Sequence, residues 1–85
     1  MNSKERMKEL HLIYENKYSK SSFARDMLDG ELNRIAITDD ENELNRLLSI
    51  VHDNLDNYIK LARESNKAFN DYKEVFEQYR KEQHK

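Results

Sequence analysis

Apolar residues recur along this chain at intervals of three and four, the spacing that keeps side chains on one face of an α-helix. Strand signals are nearly missing, with only two Val and no sustained alternation of apolar and polar residues. Met7, Leu10, Tyr14 and Tyr18 form the first helical series, widened by Ile13. Asn2 or Ser3 can cap it, and Asn2 with Glu5 has capping-box spacing, so a helix over about 3–18 is predicted. The cluster Ser19-Lys20-Ser21-Ser22 reads as a turn, because serine hydroxyls compete for backbone groups and favour caps over helix interiors. A second helix over about 22–36 follows, with Ala24, Leu28, Leu32 and Ile35 on one face and Phe23 and Met27 beside it. Gly30 falls inside this pattern at a cost of about 1 kcal/mol relative to Ala. A continuous but weakened helix is expected there; a close approach of another helix, or an early end, would also explain the glycine.

Thr38 and Glu41 have capping-box spacing, and Asp39, Asp40 and Glu41 suit the positive end of a helix dipole. A long helix over about 40–82 is predicted from there. Leu44, Leu48, Val51, Leu55, Tyr58, Ala62, Ser65, Phe69, Tyr72, Phe76 and Tyr79 follow one another in a strict four-three repeat, and ten of the eleven are apolar or aromatic. Leu47, Leu61, Ala68 and Val75 add an apolar flank to this seam, which makes the face too wide for a simple two-stranded coil and suits a bundle.

The expected fold is therefore all-α and single-domain across 1–85: two short helices, then one long heptad-patterned helix, in a helical bundle or coiled-coil dimer. The alternative is a monomeric four-helix bundle with a break near Ser65, which lies on the seam beside the modest helix former Asn66. Length sharpens the choice. The long helix would span roughly 60 Å and each short one roughly 24 Å at 1.5 Å per residue. Either the short helices lie end to end along the long one, or its far half needs another chain. A homodimer with the long helices in contact is expected.

Composition removes most familiar chemistries. The 85 residues contain no Cys, no Pro, no Trp and one Gly, so cysteine zinc sites, disulfide frameworks and glycine-rich phosphate loops are absent. His11 with Glu15 and His52 with Asp56 have the four-residue spacing of two metal ligands, but neither His has the Glu three residues before it that a four-helix carboxylate site uses. Aligning Gly30 with the glycine of a calcium loop puts Arg25 and Met27 where oxygen ligands belong. No catalytic residue, metal or cofactor is nominated, and an enzyme is not expected.

Net charge is −2, but its distribution is uneven. Met1 to Arg25 carries +3, Asp26 to Asp56 carries −7, and the remainder carries +2. Asp39, Asp40, Glu41 and Glu43 lie in the acidic middle and form a possible face for a basic partner. Lys4, Arg6, Lys8, Lys17, Lys20 and Arg25, with Arg80, Lys81 and Lys85, are the only basis for nucleic-acid binding; interleaved Glu5, Glu9 and Glu15 interrupt any phosphate-binding stripe. No apolar run approaches the roughly 20 residues that span a bilayer. Charges from Lys4 to Glu9 occupy the place of a signal-peptide core, so no membrane association and a cytoplasmic location are expected.

Tyr58, Phe69, Tyr72, Val75, Phe76 and Tyr79 are the candidate interface residues. They suit either a core seam or, from Phe69 onward, a partner-binding or dimer face. The function expected is a non-enzymatic protein-interaction module, a small regulator, inhibitor or adaptor that binds a larger protein through a helical face. Structural self-assembly is the nearest rival, and a nucleic-acid-associated role through the basic N-terminal helix is third.

Overall fold

The computed structural model describes residues 3–83, which form two helices, α1 (Ser3–Ile37) and α2 (Glu41–Gln83), joined by a three-residue connection. No strand occurs among the described residues, so the all-α class stands. The helices pack antiparallel as one long hairpin of 65 × 17 × 13 Å.

Serines 19, 21 and 22 do not make the predicted turn. α1 runs through them unbroken, and Ser21 is buried with its hydroxyl donating to the Tyr18 carbonyl at 2.9 Å. A serine satisfied by its own preceding turn no longer competes with the helix, and its small volume suits a helix-packing position. The two short helices are thus one 35-residue helix. Coverage of the long helix comes from end-to-end continuity, and α1 reaches the far half that seemed to need another chain. The alternative break near Ser65 is also absent: α2 passes through Ser65 and Asn66, with Ser65 buried. Gly30 lies within α1 as expected, but no helix approaches it closely, since a methyl group there would meet nothing within 4 Å.

The connection departs from the capping box read from sequence. Asp40 is the residue that caps α2: its carboxylate accepts the Asn42 N–H at 3.0 Å, and its carbonyl accepts the Leu44 N–H at 2.9 Å. Thr38 belongs to the end of α1 instead, its hydroxyl donating to the Arg34 carbonyl at 2.6 Å. Glycine is not needed, because no described residue adopts a positive φ. Asn2, the other proposed cap of α1, lies outside the described residues.

Packing follows a heptad in both helices, but the register differs from the seam read in α2. Positions 7, 10, 14, 17, 21, 24, 28, 31 and 35 of α1 are all buried or half-buried. In α2 the matching series is 44, 47, 51, 54, 58, 61, 65, 68, 72, 75 and 79. The flank residues Leu47, Leu61, Ala68 and Val75 thus belong to the hairpin core, together with every second residue of the proposed seam. Leu47 is the best-buried side chain, 2% exposed, and Leu10, Ala24, Leu28 and Ala68 complete the buried apolar set.

Contacts between the helices fix the antiparallel level. The Ser3 hydroxyl donates to the Glu82 carboxylate at 3.0 Å, Lys17 pairs with Glu64 at 3.6 Å, and the Asn54 amide donates to Glu31 at 2.5 Å. His11 and Tyr72 rings lie 5.4 Å apart, as do those of Tyr14 and Phe69. In each pair the two residue numbers add to between 81 and 85, the constant sum of an antiparallel pairing.

Candidate interaction surface

A two-helix hairpin buries one face of each helix, and α2 is apolar over more than one face. Because α1 takes Leu47, Leu61, Ala68 and Val75, the alternate residues of the proposed seam are turned to one side of the hairpin. Leu48, Leu55, Phe69 and Phe76 stand 49%, 44%, 44% and 42% exposed, at seven-residue spacing broken only by half-buried Ala62. Seven residues are two turns of a supercoiled helix, so this row stays on one side for about 42 Å at 1.5 Å per residue. Tyr18 and Leu32, both exposed, border it from α1. Near its middle lies a notch of about 290 Å³ where Ser21, Ala62 and Ser65 leave space between the rings of Tyr14, Tyr18, Tyr58 and Phe69.

The other side of the hairpin carries a second apolar feature. Phe23, 67% exposed, and Met27 form one wall of a groove of about 420 Å³ whose other wall includes Leu61, Asn54 and Asn57 of α2. Phe23 and Met27 were legible in the sequence only as residues beside a helix face. Their prominence arises because α2 bears Asn54 and Asn57 there, too short and too polar to cover them.

The sequence-nominated aromatics separate into two groups. Tyr58, Tyr72, Val75 and Tyr79 are half-buried and lie on the series that faces α1. Phe69 and Phe76 are exposed on the row described above, with Phe69 reaching Tyr14 and Phe76 lying 6.0 Å from Tyr72 between ring centres.

Asp39, Asp40, Glu41 and Glu43 all sit at the closed end, though two have local roles. Asp40 caps α2. Glu43 is held by a two-pronged interaction with Arg46, Nε donating at 3.0 Å and Nη2 closer still, and that hydrogen bond lowers the Glu43 carboxyl below its ordinary value. Asp39 and Glu41 are exposed.

Folding converts the uneven charge of the sequence into a polar rod. Asp26 lies level with about residue 58 of α2, so the −7 segment from Asp26 to Asp56 occupies the closed end, and the described flanking residues, 3–25 and 57–83, bring +3 and +1 together toward the open end. Of the basic residues nominated for nucleic acid, Lys4, Arg6, Lys8, Arg80 and Lys81 share that open end, where Arg6 pairs with Glu9 at 3.4 Å. Lys17, paired with Glu64, and Lys20 and Arg25 lie along the middle of the rod, and Lys85 lies outside the described residues.

The histidines are engaged separately. His11 is 3.5 Å from Glu15 and stacks at a tilt on Tyr72, whereas His52 lies 3.7 Å from Asp53 on an exposed face. Among the described residues, no group of three or more His, Asp or Glu side chains could hold a metal ion, and no helix is long and apolar enough to cross a membrane. Comparison with protein-family models, curated proteins and solved structures finds no match to this chain.

Proposed function

We propose that this chain is a non-enzymatic protein-interaction module, a small regulator, inhibitor or adaptor that engages a larger protein through helical side chains. The observation that carries the reading is the apolar surface that remains after α1 and α2 have closed on each other. A compact monomer of 10.3 kDa exposes about 5,400 Å², whereas this chain exposes 6800 Å². The excess on this one chain is larger than the roughly 800 Å² that each partner contributes to a standard protein–protein interface. Several of its large exposed apolar side chains lie on the hairpin sides, in a row on α2 or beside a groove.

The groove beside Phe23 and Met27 suits a larger protein. Its rim pairs an exposed ring and a flexible thioether with the amides of Asn54 and Asn57, a mixture of apolar anchor and polar rim common to interface centres. Affinity capture from the native host tests this side. A protein retained by the wild-type chain and lost with Phe23→Asp, at unchanged helix content, is the expected result; equal retention by the two would contradict it.

A second reading, self-assembly through the long helices as a homodimer, is favoured by the separate row on α2 and by the charge polarity of the rod. The two readings are compatible, because they use opposite sides of the hairpin.

A further inference from the structure

We infer that the side bearing Leu48, Leu55, Phe69 and Phe76 is covered by a second copy of this chain lying antiparallel, with α2 against α2, to give a four-helix assembly. The inference rests on the reading of the chain as an interaction module and specifies what covers one of its two apolar sides.

Three observations select this occupant and orientation. The first is charge. Side by side in the same direction, two copies would bring −7 against −7 at their closed ends. Reversed, each acidic closed end lies along the other's basic open end, and like-charge repulsion becomes attraction.

The second is the order of side chains in the row. From 48 to 76 it reads Leu, Leu, Ala, Phe, Phe. A two-fold axis at Ala62 places Leu48 against the other copy's Phe76, Leu55 against its Phe69, and the small Ala62 against itself at the point of closest approach. Each large ring then meets a branched aliphatic side chain, whereas parallel packing would set ring on ring at one end of the row and Leu on Leu at the other. The same axis suits α1. Its residues on this side, His11, Tyr18, Arg25 and Leu32, are centred between residues 21 and 22, which is the level of Ala62 in the observed pairing. Tyr18 then faces the other copy's Arg25, a ring opposite a guanidinium.

The third is area. A side about 42 Å long on a rod 17 Å wide offers roughly 700 Å² per copy, which reaches the size of specific interfaces, about 1,200–2,000 Å² in total. A second copy satisfies the length, width and charge of the face together.

Orientation can be read from one distance. The chain has no Cys, so Asp39→Cys places a single nitroxide label on the exposed closed end of the full-length protein. In the antiparallel dimer the two labels lie about 50 Å apart, twice the rise from the central level to residue 39. Pulsed electron–electron spectroscopy should therefore give a peak near that distance. It should vanish when Leu55→Asp and Phe69→Asp are added, and the dimer's Kd should rise about tenfold as salt is increased to screen the ends. A peak below about 20 Å, roughly two helix diameters, would mean parallel copies and overturn the inference. A monomeric protein with no dipolar signal would overturn it as well. Either failure leaves the Phe23 capture result standing, so the two proposals fail separately.

Discussion

Gly30 is the position where a single residue weakens the fold without an evident structural return. It lies inside α1, has an ordinary negative φ, and a β-carbon added to it would point into open space. Gly30→Ala should therefore stabilise the protein by about 1 kcal/mol, measured by urea unfolding, and a destabilising effect would show that this backbone needs the freedom of glycine. Sequence alone left its role open because a helical glycine can mark close packing, a terminus or neither. Only the distance to neighbours separates these. Ser21 and Ser65 teach the complementary lesson: serine was read as a breaker, yet both are buried at the helix interface, where small size matters more than intrinsic propensity.

At the scale of elements, the hairpin depends on where α1 ends and α2 begins, and Asp40 sets the second of these. Asp40→Ala should cost about 1 kcal/mol, the ordinary value of a lost N-cap, while Thr38→Val should cost less because the Thr38 hydroxyl serves an exposed terminal carbonyl of α1. Chemical denaturation of the two variants distinguishes the observed cap from the Thr38–Glu41 capping box, which reverses the order. Helix type and the extent of α2 were legible because four-three spacing persists through a segment without Pro or Gly. The continuity of α1 was not, since four polar residues from Ser19 to Ser22 give the same local signal in a turn and on a solvated helix. The register of α2 was ambiguous for a related reason. Its apolar face is three positions wide, so two overlapping heptad rows, one through Leu47 and one through Leu48, satisfy the pattern equally. Packing against α1 selects the first and leaves the second exposed. The aromatic residues share one broad face of α2 in the sequence pattern, but their division into core-facing Tyr58, Tyr72 and Tyr79 and outward Phe69 and Phe76 required the partner helix.

For the whole molecule, two properties that are separate in the sequence become coupled by the fold. The acidic middle folds onto itself at one end of a rod, and an apolar row runs along the side of that same rod. The radius of gyration, 18.9 Å, exceeds the value near 12 Å of a compact 85-residue domain, so much of the chain lies close to the surface and the internal core is thin. The proposed pairing of two rods would supply the missing layer and bring opposite charges together. Sedimentation equilibrium tests this most directly. The wild-type chain should sediment at twice 10.3 kDa, and the variant combining Leu55→Asp with Phe69→Asp should sediment as the monomer with its helices retained by circular dichroism. A wild-type mass of 10.3 kDa at every concentration, or a dimer mass that survives both substitutions, would contradict the account.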